Sequence, residues 1–413
     1  MKIIIIGTYL SGFGGTEAVL AKWQKNLGRY LSCSITLILT DKSENTDWLA
    51  GYDYLFLNEQ AIRQEQHYDV FPKLWTARKL KRKYKIDLMN QRLTKALQDI
   101  QPDIVVCISY SLLSRLGQVK NTAGLSFMLY YWDHMAYTVL LQNDIKYRKA
   151  IQVAEGYLCI SQGIYQATRQ IIGNKNVARH CKTVHLIHNP IERKKRQISI
   201  TSPPIRFIYM GRLIAEGQKQ VRDIFDAVTR LRHHDFVLDI YGDGIDRYKL
   251  EEYGRQHGIL DKVRFHGWKH NAWDAINQAS CLLLASNFEG LPMVIAEALS
   301  YGVPCISSNC PTGPSDMIKD GLNGFLFKPN DIDALAYHML EFIRGEACFN
   351  QATIQQSIKF MYEESYFSNL RNIFSSLMQE DLPKNTMQPI ADLALHGSGH
   401  SQDRLLTPIL TKS

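Results

Sequence analysis

Cys281-Leu282-Leu283-Leu284-Ala285-Ser286-Asn287-Phe288-Glu289-Gly290-Leu291-Pro292-Met293-Val294-Ile295-Ala296-Glu297-Ala298-Leu299 is the stretch around which the chain is organised. The apolar run Cys281–Leu284 reads as a buried strand. Pro292 suits a first helical turn, and Val294 to Leu299 read as the helix. A loop at the carboxyl end of a parallel strand, feeding a helix N-terminus, is a natural anion and ligand site. Two carboxylates flank it: Glu289 in the loop, and Glu297 two turns along the helix, so the pair can serve one ligand at two depths. Such a pair alone is common on solvated helices. The Phe-Glu-Gly-x-Pro frame and the Ser300-Tyr301-Gly302-Val303-Pro304 that follows make this one specific.

Outward from this stretch, apolar runs alternate with helical ones. Ile3–Ile6, Ile35–Leu39, Ile104–Cys107, Phe127–Tyr130 and Tyr157–Cys159 read as strands of one half. Phe207–Met210, Val237–Tyr241, Val263–Phe265, Cys281–Leu284 and Pro304–Ile306 read as strands of a second. This alternation predicts βα units and parallel sheets. The segment Asn189 to Arg196, charged and followed by Ser202-Pro203-Pro204, reads as a hinge. The expected architecture is α/β: two Rossmann-like domains, residues 1–195 and 196–350, facing across a cleft. Helices follow over 351–380, then a weakly ordered, proline-containing and polar tail over 381–413.

A length of 413 residues with 45% hydrophobic and 21% charged content fits a soluble globular protein of two or three domains. No apolar run approaches the ~20 residues of a membrane span. Met1 to Ile6 is too short for a signal peptide. The eight cysteines form no Cys-x2-Cys pair, and Cys107, Cys159, Cys281 and Cys305 lie in strand-like runs. They read as reduced thiols of a cytoplasmic protein, not as disulfides or zinc ligands. The net charge of +8 favours anionic partners, but no nucleic-acid recognition motif accompanies it. Between Arg78 and Lys85, six residues are basic: Arg78, Lys79, Lys81, Arg82, Lys83 and Lys85. Leu80, Tyr84 and Leu88 recur at helical spacing beneath them. This is either a solvated charged face or a helix that meets an acidic acceptor or the anionic inner face of the cell membrane.

Candidate site residues lie after strands. The loop Gly7 to Glu17 follows the first strand and opens a helix, and its glycines, Gly14 and Gly15 among them, permit close backbone approach to a phosphate or sugar. Position 17 is Glu, so this is not the Gly-x-Gly-x-x-Gly dinucleotide fingerprint. Tyr130-Tyr131-Trp132-Asp133-His134 ends a strand, which would point its polar residues into the cleft. There Asp133 either orients the imidazole of His134 or contacts an acceptor. Gly211-Arg212-Leu213 ends another strand, and Glu216-Gly217-Gln218-Lys219 leads into a helix. Tyr241-Gly242-Asp243-Gly244 and His266-Gly267-Trp268 end two more. An extended backbone at Trp268 offers one donor and one acceptor, which can read a base edge. The Asp-x-Asp triplet Asp331-Ile332-Asp333 opens a helix, where capping and the helix dipole explain it, so no metal ligands are expected.

Together these motifs resemble the retaining GT-B glycosyltransferases of family GT4, over residues 1 to 375 or so. The resemblance implies that residues 1–195 bind an acceptor and 196–350 a nucleotide-sugar, with the last helix, Tyr366 to Met378, returning across the first domain. It implies that Gly14 and Gly15 face the donor diphosphate and that Arg212 and Lys219 clamp it, although the loop joining those two is longer than the family's usual one. Trp268 would pair with uracil through its backbone, Gly242 would support the nucleotide pocket, and Glu297 would accept from the ribose hydroxyls. Glu289 would lie near the transferred sugar, which the amides around Gly290, Leu291 and Met293 would also approach; Pro292 has no N–H to offer. His134 would touch the same sugar. The implied reaction is retaining hexosyl transfer without metal or cofactor, since fixed cations and amides offset the charge on the departing diphosphate. The wording Ser-Gly-Phe-Gly-Gly-x-Glu, Glu-Gly-Gln-Lys, Phe-Glu-Gly-x-Pro-Met and Cys-Ile-Ser-Ser-x-Cys is similar to the bacterial lipopolysaccharide 1,6-galactosyltransferases. That implies UDP-galactose or UDP-glucose as donor and a cell-envelope, exopolysaccharide or lipid-linked glycan as acceptor. A UDP-sugar epimerase of the same architecture is disfavoured by the Phe-Glu-Gly frame. A non-catalytic paralogue acting as a partner protein is disfavoured because Arg212, Lys219 and Glu289 are all present.

Overall fold

The computed structural model describes residues 1–10, 15–43, 45–58, 75–173, 182–200 and 203–380, apart from the side chains of 75–83 and 376–380. Met1–Ile373 form one compact unit, and the tail expected over 381–413 lies outside the described residues.

Two parallel sheets make up the first unit. One contains β1 (Lys2–Gly7), β2 (Ser34–Leu39), β3 (Asp53–Phe56), β4 (Ile104–Cys107), β5 (Met128–Asp133), β6 (Gly156–Cys159) and β7 (Thr183–Leu186), in the order β3-β2-β1-β4-β5-β6-β7. The other contains β8 (Ile205–Met210), β9 (Phe236–Tyr241), β10 (Val263–Gly267), β11 (Cys281–Leu284), β12 (Cys305–Ser308) and β13 (Gly324–Phe327), in the order β10-β9-β8-β11-β12-β13. The central strands β4, β6, β11 and β12 are buried along their whole length, as expected of strands covered on both faces. In the second domain Phe207, Phe225, Phe236, Leu283 and Phe342 share one core.

Sequence order reverses between β1 and β4 in the first sheet and between β8 and β11 in the second. At such a switch point the loops leaving adjacent strands diverge and open a crevice at their carboxyl ends. The second switch therefore brings the loop after β8, with Arg212 and Lys219, beside the loop after β11, with Glu289.

The segment read as a hinge is held by residues at the start of the last described helix. Ile191 donates its N–H to the Met361 carbonyl (2.8 Å) and accepts from Glu363 N–H (3.1 Å). The helix Glu363–Glu380 begins here. Its first turns pack on the first-domain helix Gly15–Tyr30: Trp23 Nε1 donates to Tyr366 Oη (2.8 Å), Asn26 donates to Glu363 (3.3 Å), and Tyr30 stacks on Phe367 at 5.3 Å. Among the described residues seven cysteines are free thiols, five of them buried. Burial pushes Cys107, Cys159 and Cys310 up to about 12, so these thiols are structural and unreactive.

Candidate active site

The loops after β8 and β11 are stitched together by backbone and side chains. Asn287 N–H donates to the Gln218 carbonyl (2.9 Å), and Asn287 Nδ2 donates to the Gly217 carbonyl (2.8 Å). The Gln218 side chain accepts from Arg212 (3.0 Å). This register delivers Lys219 Nζ to Glu289 Oε1 at 2.6 Å, and Ser286 Oγ donates to the same oxygen at 2.7 Å. Glu289 is buried, and Thr312 Oγ1 donates to its carbonyl from the neighbouring loop. The long loop between Arg212 and Lys219 thus still brings both cations to the Glu289 crevice. Arg212 remains exposed, with a guanidinium able to meet a ligand, while Lys219 is held by the carboxylate.

Helix Met293–Ser300 begins where expected, but Pro292 stands at its N-cap (φ −71°, ψ 95°) and not within its first turn. Leu291 is buried and Met293 half-buried. Glu297 lies on the second turn and accepts from Trp273 Nε1 at 3.2 Å; Trp273 itself stacks on Tyr301 at 5.6 Å. Burial raises the Glu297 carboxyl, against the opposing effects of the indole bond and of the Lys22 and Lys194 charges. Nothing in the sequence marked Trp273 as the partner of Glu297, because a tryptophan outside a strand carries no spacing signal.

Gly242 sits where two loops pack closely. A Cβ there would sit 1.9 Å from the Gly211 carbonyl oxygen. Its missing side chain serves the close packing of the loops after β8 and β9. β10 runs on to Gly267, and Trp268, 60% exposed, follows a positive φ of 70° at that glycine. Beneath it His266 Nε2 meets Asp239 (2.7 Å), which also pairs with Arg206 (2.8 Å).

Across the crevice, Asp133 proves to be turned inward. Its carboxylate accepts from the N–H groups of Met135 (3.0 Å), Tyr137 (3.2 Å) and Thr138 (2.7 Å) and from the Thr138 hydroxyl (2.8 Å). It is 2% exposed, and burial raises its pKa while these bonds oppose the rise. Both oxygens are engaged by the turn that follows β5. His134 is the residue that this turn presents. Its ring lies 4.1 Å from that of Trp132, its buried Nε2 has no partner, and burial lowers its pKa to about 3. The imidazole is therefore neutral at ordinary pH, and a buried polar atom without a partner is where a ligand hydroxyl would fit. The His134 carbonyl oxygen would lie 2.3 Å from a Cβ placed on Gly290, so the two domains touch at the Phe-Glu-Gly frame itself.

Gly15 opens helix Gly15–Tyr30 with nothing within 4 Å of where its Cβ would be. Gly14 lies outside the described residues, as do the side chains of Arg78, Lys79, Lys81, Arg82 and Lys83; Lys85 is exposed. Asp331 caps its helix by accepting from Ala334 N–H (3.0 Å), and Asp333 pairs with Arg230. No helix among the described residues is long and apolar enough to cross a membrane.

With fixed cations beside a buried carboxylate at one switch point and a neutral histidine opposite, the crevice suits an anionic, hydroxyl-rich ligand. The profile of the family described as "Glycosyl transferases group 1" matches residues 190–359, which include every second-domain candidate. The lipopolysaccharide 1,6-galactosyltransferase of Salmonella typhimurium is 33% identical over 392 residues, covering 92% of this chain and all of that one. Its counterpart from Escherichia coli is 32% identical over 387 residues, covering 91% and 98%. The apo structure of the lipopolysaccharide outer core galactosyltransferase WaaB superposes with a TM-score of 0.73 at 31% identity, covering 91% of this chain and all of that one. Anabaena HepE in complex with UDP shares the fold at 15% identity, with a TM-score of 0.67 over 92% of this chain and all of that one. Sequence, crevice and architecture agree: the chain is an enzyme of the group 1 glycosyltransferases, family GT4, with the GT-B fold.

Proposed function

We propose that the enzyme transfers galactose or glucose from a UDP-sugar to a cell-envelope glycan, with retention of configuration and without a metal or cofactor. The observation that carries this reading is the convergence of Arg212, Lys219 and Glu289 on one crevice facing His134. The names of the lipopolysaccharide 1,6-galactosyltransferases support a lipopolysaccharide core as the acceptor and galactose as the sugar. A site on the cytoplasmic side of the membrane suits a donor made in the cytoplasm.

Donor binds to the second domain. Arg212 reaches its diphosphate, Glu297 accepts from ribose hydroxyls, and the backbone at Trp268 reads uracil. The acceptor hydroxyl attacks the anomeric carbon on the side from which the diphosphate leaves. The bond from that carbon to the phosphate oxygen breaks, and the departing oxygen takes the acceptor proton. Arg212 and Lys219 offset the growing negative charge, which is the electrostatic work a metal would otherwise do. Glu289 lies close enough to steady hydroxyls or positive charge on the sugar. Neutral His134 offers its unpartnered Nε2 to a sugar hydroxyl.

The test measures UDP release from a panel of UDP-sugars, with and without lipid-linked acceptor, for the parent and Arg212→Ala, each with and without chelator. Acceptor-dependent release lost in Arg212→Ala and indifferent to chelator supports the reading. Free epimer would point to an epimerase, and silence across all donors to a non-catalytic partner. Activity that returns only with divalent ions would overturn the metal-independent mechanism, and an inverted anomeric signal in the product would overturn retention.

A further inference from the structure

A carboxylate of the second domain also bonds the first. Asp316 lies on the short helix Pro314–Met317 of the second domain, and its side chain is 3% exposed. Its Oδ1 accepts from the N–H of Gln162 at 2.7 Å, the first residue of the first-domain helix Gln162–Ile172. The same oxygen lies 2.9 Å from Nε2 of His188, just ahead of the hinge. A carboxylate at a helix N-terminus is favoured by the helix dipole as well as by the bond itself. The contact is tight: a Cβ on Gly163 would lie 2.6 Å from the Pro311 carbonyl oxygen and 2.6 Å from Thr312 Cγ2.

The segment that carries this contact also supports the catalytic loop. Thr312 Oγ1 donates to the Glu289 carbonyl. A Cβ on Gly313 would lie 3.0 Å from Leu291 Cα and 3.1 Å from the Gly290 carbonyl oxygen. Residues 311–316 therefore touch the first domain on one side and hold Glu289 to Leu291 on the other. We propose that Asp316 is a positioning residue: a latch whose engagement with Gln162 and His188 couples domain closure to the placement of Glu289. The inference rests on the proposed transfer reaction for its kinetic arm, but the latch itself has a readout that needs no substrate.

Four variants test it: Asp316→Ala, Asp316→Asn, His188→Ala and the double alanine variant. Spin labels on exposed sites of the two domains report the interdomain distance distribution. Asp316→Ala should broaden that distribution and lower kcat about tenfold or more, the factor one charge-assisted hydrogen bond carries. UDP affinity should stay within about twofold, because the donor site lies within the second domain. Asp316→Asn keeps an acceptor for both donors and should recover most of the rate. Asp316→Ala combined with His188→Ala should be no slower than Asp316→Ala alone, since both remove one contact. An unchanged distance distribution in Asp316→Ala and in His188→Ala overturns the latch, and so does loss of UDP affinity in proportion to kcat. Inactivity of the parent toward every donor would instead defeat the transfer reading and leave the distance measurement standing.

Discussion

Replacing Lys219 with alanine separates the two things that its bond to Glu289 does. The pair is 2.6 Å apart, with side chains 15% and 9% exposed, so solvent screens it little. At an effective dielectric of about 20, Coulomb's law gives a gross attraction of about 6 kcal/mol at that distance. Desolvation offsets much of this, yet removing one partner leaves the other buried and unpaired, which costs about 3–5 kcal/mol. Lys219→Ala should therefore lower the melting temperature by roughly 5 °C. It should also lower kcat by about 10²–10³-fold, the usual effect of deleting one preorganised group that meets developing charge. Adding Glu289→Gln removes the stranded carboxylate. The double variant should regain most of the lost melting temperature and none of the lost rate. Scanning calorimetry and UDP release, measured on the same preparations, read the two effects. If the single variant melts like the parent, the pair is not the buried contact described here. If the double variant recovers rate along with stability, Lys219 acts only as a structural partner of Glu289.

Other expectations follow from the opposite wall of the crevice. His134, held near a pKa of about 3, binds its proton less readily folded than unfolded. Between about pH 6.5 and 3 the unfolded chain thus takes up more protons, and stability falls by about 1.4 kcal/mol per unit as pH drops. His134→Gln should flatten that acid limb in urea titrations run at several pH values, and an unchanged slope would assign the acid sensitivity elsewhere. Asp133→Ala strips four donors of their acceptor, so it should destabilise the chain by about 2–4 kcal/mol in urea unfolding. A loss of activity with full stability would instead support Asp133 as an acceptor contact. Gly290→Ala places a methyl group against the His134 carbonyl, where backbone cannot yield. It should cut kcat more than tenfold while UDP binding, followed by calorimetry, persists.

Much of the fold was legible because its signals are local. Strands buried on both faces, such as Cys281–Leu284 and Ile104–Cys107, must be apolar throughout, and they stand out in any window. The strands that were not read are β3, β7 and β13, each at the edge of a sheet. Asp53–Phe56 is mostly exposed and Thr183–Leu186 only half-buried, so neither carries a continuous apolar run. Gly324–Phe327 opens on a glycine just after Gly321-Leu322-Asn323, a composition that signals a turn and not a strand.

The chemistry divides in the same way. A Phe-Glu-Gly-x-Pro frame after an apolar run was enough to place Glu289 and Glu297 at a strand end and on a helix, because both positions depend only on residues a few steps away. Which carboxylate would meet Lys219, which would meet Trp273, and which would turn inward were not local matters. Lys219 lies 70 residues from Glu289, and the order β8-β11 alone makes their loops neighbours. Asp133 and His134 are adjacent in sequence, yet one is consumed by the turn after β5 and the other keeps a buried Nε2 without a partner. Asp316 carried no signal at all, since its partners lie 154 and 128 residues earlier. Residue type and near-neighbour pattern determined the strands, the helices and the kind of chemistry. Only the packing of distant loops decided which polar groups are spent on holding the protein together and which are free to act on a substrate.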